Sequence, residues 1–299
     1  MKTIKQRISY AVMGLMAMGF TACTQNEDMA PTLKGQEINA TFSVGGMQTR
    51  VNTLGHGDSW EDKDKLKVSI FTDNDPGSTT VLSFNGETNE WSRSGSFRWL
   101  NEYEQHTILA VYPSDMDSWI YNLQYDLQTD QSSEGNLKNA DLITGYWHDV
   151  PRFDLISIPM KHRMSLVTIV YHVGTADYPN MDISEPQVYS KHTSVDFSRD
   201  DRGQFVMSTP TANPAWVKAY KHDDGMFSAI VIPGSYIKDE VFLKFMIGDN
   251  IFNAKMKMPT DFEEGKRYTY KLDVGKDKVK LTQISVDDMT GWTNEEDLK

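Results

Sequence analysis

Cysteine is nearly absent: the 299 residues contain one, Cys23. A single thiol excludes internal disulfides and any metal site built on paired cysteines, so stability has to come from packing. The seven histidines (His56, His106, His148, His162, His172, His192 and His222) are scattered, with no His-x-x-x-His pair and no His-Glu helix motif. Gly-x-Ser-x-Gly, a phosphate loop and a dinucleotide fingerprint are also missing. Beyond the first 22 residues, no apolar run approaches the roughly 18–20 residues of a membrane-spanning helix. Positive charge is short as well: 30 Lys and Arg against 42 Asp and Glu leave a net charge of −12. With no Lys/Arg cluster to meet phosphates, nucleic acid is excluded as a partner.

What is present begins at the N-terminus. Lys2, Lys5 and Arg7 precede an apolar core from Ala11 to Phe20, after which the chain turns polar. This reads as a secretory signal over residues 1–22. Its end, Phe20-Thr21-Ala22-Cys23, resembles a bacterial lipobox, which implies cleavage between Ala22 and Cys23 and lipidation of Cys23 by palmitate-type chains. The other reading is an ordinary secretory signal with a chance cysteine. The lone thiol argues against it, because a free cysteine is a liability in an oxidising compartment. Cleavage removes three basic residues and no acid, taking the net charge from −12 to −15. Each buried CH₂ of an acyl chain contributes about 0.8 kcal/mol, so two or three chains hold the protein firmly at the cell outer membrane. Residues 23–36 then form a polar lipidated tether without periodicity.

From Ile38 the pattern has a period of two. Ile38–Val44, Lys67–Phe71 and Arg267–Val274 alternate, the last with Arg267, Thr269, Lys271 and Asp273 on a wet face. His106–Tyr112 reads as a buried strand stopped by Pro113. Hairpins are expected across Asn85-Gly86, Ser198–Gly203 and Gly248–Asn250. The apolar phase slips between Val279–Leu281 and Ile284–Val286, which predicts a bulge or two short strands. Helical signals are confined to single turns at 58–65 and 114–118. The expected fold is all-β, with two tandem β-sandwiches at 37–160 and 161–299 and a seam near Pro159.

No constellation points to catalysis. Tyr171-His172-Val173 places its histidine in a core or edge strand, while Trp147-His148-Asp149 and His222–Gly225 read as loops. Asp73-Asn74-Asp75 with Gly77 faintly resembles a calcium loop, but Pro76 interrupts it and no Glu stands at the twelfth position. A glycosidase needs two convergent carboxylates, and 42 acids single out no pair. No cofactor or metal is expected. Trp91, Trp99, Trp119, Tyr121 and Tyr125 read as core or edge packing, with sugar stacking on the Trp119–Tyr125 loop as the alternative.

An ordered set of segments resembles the fimbrillin (Mfa-like, type V pilin) family of Bacteroides-group lipoproteins. It comprises Thr49-Arg50-Val51, Trp60, Asp64–Val68, Ala110–Pro113, Asp130–Ser132, Asp141–Ile143, His162–Val167, Gly265–Tyr270 and Ile284 to Trp292. Glu27 and Asp28 resemble the acidic export signal of surface lipoproteins; a solvated linker is the plain alternative. Two segments depart from the family pattern: Ser165-Leu166, where a small residue and lysine are usual, and Val231–Gly234, which replaces a proline pair with glutamine. The resemblance implies two transthyretin-like sandwiches and a non-catalytic subunit of a fimbrium, structural, tip or anchor. Its partners would be other fimbrial subunits by strand exchange. Protease cutting after Arg50, giving a new N-terminus at Val51, would release strand Ile38–Val44, and a donated strand would fill the slot. Arg50 reads equally well as a polar loop residue. The tail Thr293–Lys299 shows no alternating donor segment. The alternative is a monomeric surface lipoprotein that binds glycans or acts as an adhesin toward host or bacterial ligands.

Overall fold

The computed structural model describes residues 32–44, 60–92, 96–116, 122–174, 182–223, 225–275 and 278–289. Strand follows strand, as the alternation predicts. The first half contributes β1 (Ala40–Val44), β2 (Lys65–Phe71), β3 (Ser78–Asn85), β4 (Glu90–Trp91), β5 (His106–Tyr112), β6 (Asn122–Asp126), β7 (Ile143–Asp149) and β8 (Ile156–His162). The second contributes β9 (Ser165–Val173), β10 (Ser184–Ser190), β11 (Ser194–Arg199), β12 (Phe205–Met207), β13 (Ala215–Lys218), β14 (Tyr220–Lys221), β15 (Met226–Val231), β16 (Gly234–Tyr236), β17 (Val241–Ile247), β18 (Asn250–Lys255), β19 (Thr260–Phe262), β20 (Lys266–Val274) and β21 (Val279–Asp288).

A seven-stranded sheet of order β1-β8-β7-β5-β2-β3-β4 gathers the first half. Its inner face closes on Leu66, Val68, Ile70, Ile108, Ile158 and Trp60, among others. The outer face of β5, through Leu109 and Val111, joins a second and larger core. Burial on both faces explains why His106–Tyr112 reads as a continuous apolar run, since all seven residues are buried. The larger core fills the space under the sheets β13-β10-β17-β18 and β14-β15-β9-β20-β21. The sheet changes between β8 and β9, at Arg163-Met164, but the halves interleave. β6 leaves the first half to pair with β11, Tyr125 opposite Val195.

The three expected hairpins form as β3–β4, β11–β12 and β17–β18. The phase slip in β21 is a bulge: Thr269 faces Ser285 and Tyr270 faces Gln283, so Ile284 is skipped. Pro159 sits inside β8 without loss. The β7–β8 ladder ends at Gly145 opposite Met160, so the missing N–H would have pointed where pairing has stopped.

Several expectations are corrected. Trp147-His148-Asp149 is no loop but the end of β7, paired with His106–Ile108. The wet face of β20 is wet only in its second half: Lys271 is exposed and Asp273 half-buried, but Arg267 and Thr269 are buried under the layer packed on that face. His172 is exposed at the end of β9. The end of the expected tether is folded: Gly35 N–H donates to Trp99 C=O at 2.8 Å and Leu33 packs against the first core. Of the first expected turn, 58–59 lie outside the described residues, 62–63 form a turn and Lys65 already starts β2. Of the second, 114–115 form a turn and 117–118 lie outside the described residues.

The one helix among the described residues, α1 (Glu134–Asn139), has no counterpart in the expected elements. Ser133 caps it by accepting from Asn136 N–H, and Glu134 and Lys138 suit the dipole at its two ends. A helix this short needs tertiary support, which comes from buried Leu137 and from Lys138 bonded to Glu61 at 2.6 Å.

Candidate functional site

The residues singled out for processing, Ala22, Cys23, Arg50 and Val51, lie outside the described residues. The strand that leads to them does not. β1 runs parallel to β8, Ala40 opposite Ile156, Phe42 opposite Ile158 and Val44 opposite Met160. Alternation sends Ile38, Phe42 and Val44 into the core. It also divides the backbone groups. Odd residues face β8, as when Asn39 C=O accepts from Ile156 N–H at 2.9 Å. Even residues face away from it: Ile38 N–H donates to Phe97 C=O at 3.1 Å, and Phe42 C=O accepts from Trp60 Nε1–H at 2.8 Å. Between these two fastenings, the N–H and C=O of Ala40 look onto a groove.

Across that groove stands β4, the other end of the same sheet. Ser92 N–H donates to Ser83 C=O at 2.7 Å, so the preceding Trp91 turns its own backbone groups outward, toward β1. The cavity between the two edges holds about 510 Å³ and is lined by Ile38, Ala40, Leu82, Trp91, Phe97 and Leu155, with Glu37 and Glu90 at polar positions. Trp91 closes one side, its ring 5.4 Å from Phe42, 5.1 Å from Trp60 and 5.3 Å from Phe84. The edge of β1 at Ala40 and the edge of β4 at Trp91, facing each other over an aromatic wall, can take extended backbone. A second cleft of about 640 Å³ lies between β19 and β21 over Tyr268 and Tyr270.

Several buried ionisable groups lie elsewhere, and the ones named here pair within the fold. Asp141, fully buried, accepts from His162 Nδ1 at 2.8 Å. Arg163 pairs with Glu264 at 2.9 Å and donates to Phe205 C=O. Burial pushes the Asp64 carboxyl up to about 6, against the opposing hydrogen bond from Glu61 N–H at 2.7 Å. Among the described residues, no three His, Cys, Asp or Glu side chains are grouped to hold a metal. At the suspected calcium loop, Asp75 instead accepts from Gly77 N–H at 2.8 Å, a local turn.

The sugar-stacking reading loses its best-placed ring. Tyr125 is fully buried in β6 and donates its hydroxyl to Ala140 C=O at 2.7 Å; Trp99 is buried too, and Trp119 and Tyr121 lie outside the described residues. His222 meets Ser228 Oγ at 3.0 Å. Sequence reasoning missed the Asp141–His162 pair and the Trp60 bond to β1, since neither has a spacing signal: each joins residues that only the sheet brings together.

A family model described as fimbrillin-like matches residues 49–290. In fold the chain is similar to a candidate cell adhesion protein from Bacteroides ovatus ATCC 8483, with TM-score 0.65, 14% identity, and 87% of this chain and 99% of that one covered. It is similar also to one from Bacteroides uniformis ATCC 8492, with TM-score 0.58, 15% identity, and 77% and 93% covered. No curated protein matches.

Proposed function

Because the chain belongs to the fimbrillin-like family, and so is a fimbrial or adhesin-like structural protein, we propose that it works as a lipid-anchored subunit of the cell surface that joins its partners by strand exchange. In this reading Cys23 carries the lipid at the outer membrane, the fold is two sandwiches spanning 37–160 and 161–299, and no catalytic step is involved. In the uncut chain Cys23 is the anchor; cutting after Arg50 frees residues 23–50, the lipid and β1 together, and a partner subunit's strand takes the place of β1. The observation that supports the reading is the position of β1: an edge strand with β8 as its one ladder neighbour among the described residues, which with Ile38 just before it plugs the core through Phe42 and Val44. Losing such knobs uncovers about 300 Å² of apolar surface, roughly 7 kcal/mol at about 25 cal/mol per Å², so the cut subunit needs an occupant.

Limited digestion with an arginine-specific protease tests this. A new N-terminus at Val51, followed by binding of a strand peptide from a partner subunit, is the expected result. A folded chain that resists cutting, stays monomeric and binds a glycan array would replace strand exchange by the monomeric adhesin reading.

A further inference from the structure

One end of the seven-stranded sheet exposes apolar side chains that neither core uses. β5 begins where β7 ends, His106 opposite Asp149, so residues 100–105 and 150–155 emerge side by side. Trp99 ties the two loops together through its Nε1–H, which donates to Arg152 C=O at 3.1 Å. On this tip Tyr103 is 79% exposed, Phe153 59%, Leu155 50% and Val150 45%. A single exposed apolar residue is ordinary, but four on adjoining loops form a patch. Two of the charges among them are occupied. Arg152 pairs with Asp149 and lies over the Trp147 ring at 5.6 Å. Glu104 accepts from Asn74, Thr72 and Asn101. Glu102 and Asp154 face water.

The same end receives the chain from its N-terminal side. Gly35 N–H donates to Trp99 C=O and Trp99 N–H to Gln36 C=O, so the residue that holds Arg152 also holds the incoming segment. From Cys23 to Leu33 is a span of ten residues, at most about 35 Å when extended.

We propose that Tyr103, Val150, Phe153 and Leu155 form a membrane-facing foot that seats among the headgroups of the leaflet holding the lipid on Cys23. The inference rests on the proposed acylation of Cys23. A tether this short keeps the foot at high effective concentration over the bilayer, so weak apolar contacts suffice. Four apolar side chains interleaved with charges suit the headgroup boundary rather than the hydrocarbon core. Glu102, Asp154 and the net charge of the chain select zwitterionic headgroups over anionic ones.

The test uses the full chain, acylated in its host and reconstituted into phosphatidylcholine vesicles. Acylation occupies the native thiol, so Phe153→Cys offers a single site for a polarity-sensitive fluorophore; Leu155→Cys serves as a second, and Ile251→Cys on the β17–β18 hairpin as the control. Blue-shifted emission at 153 and 155, quenched by a bilayer-borne quencher, with a water-like signal at 251, is the expected result. Acylated protein that floats with the vesicles while 153 and 155 read as water overturns the foot and leaves the anchor intact. Probe shifts without lipid quenching, accompanied by crosslinks from 153 to another protein chain, also overturn it and assign the tip to a protein partner. Absence of acyl label on Cys23 removes the anchor and the foot together.

Discussion

Phe42→Ala probes how β1 is held. Phe42 is 2% exposed, and its ring meets Trp91 edge-on at 5.4 Å. Truncating a buried Phe costs about 3–5 kcal/mol in transfer and cavity terms. The bond from the Trp60 indole Nε1–H to Phe42 C=O does not depend on the Phe42 side chain and stays. The loss should therefore appear first as detachment of β1, which among the described residues has one ladder neighbour, rather than as unfolding of the sheet. At about 1.4 kcal/mol per factor of ten, the detached population rises about a hundredfold to a few thousandfold. Native-state hydrogen exchange reads this residue by residue. The amides of Thr41 and Ser43, which face β8, should lose protection by that factor, while Ile108 and Ala110 in central β5 lose far less. Cutting by an arginine-specific protease should accelerate in parallel. Equal loss of protection in β1 and β5 would refute the reasoning, because β1 would then open only with the whole fold.

Asp64 titrates in the folded state at about 6, above the ordinary 3.8, because burial disfavours its charge. The folded form thus holds the proton more tightly, and stability falls as pH rises from about 4 through 6. Asp64→Asn should flatten that window and stabilise the protein above pH 6, by at most about 3 kcal/mol, in urea midpoints measured across the range; an unchanged profile would count against it. Asp141→Ala leaves His162 without its buried carboxylate and should cost about 3–5 kcal/mol in denaturant unfolding, with Asp141→Asn milder because the amide can still accept. A midpoint shift under about 1 kcal/mol would show that the pair is dispensable.

Much of the all-β fold is legible because a strand announces itself locally. His106–Tyr112 reads as a strand and is β5, and the slip after Leu281 predicts the bulge that skips Ile284. Readings failed where burial is decided by a neighbour distant in sequence. Thr269 and Arg267 look like part of a wet face and are buried, whereas Lys271 two residues on stays exposed, so the packing of distant segments decides it. His148 looks like a loop residue until Thr107 bonds its Nδ1 at 2.9 Å. Helix α1 escapes notice because six residues are too few to show a period, although Ser133 offers a cap. For the candidate site, the alternation of Ile38, Phe42 and Val44 is readable. That the two ends of one sheet meet over Trp91 is not, since strand order has no local signature.

The parallel pairing of β1 with β8 also fixes a timetable. Among the described strands β1 comes first, yet Ile156, the partner of Ala40, follows only after the whole of β2 to β7. The same delay recurs in the second half, where Leu166 in β9 waits for Arg267 in β20. Such long-separated contacts slow folding. They also make the earliest strand of the chain the last to join its sheet, leaving Ile38, Phe42 and Val44 uncovered while the rest assembles. A holding partner or fast completion of β8 is therefore as much a requirement of this topology as the packing that finally buries them.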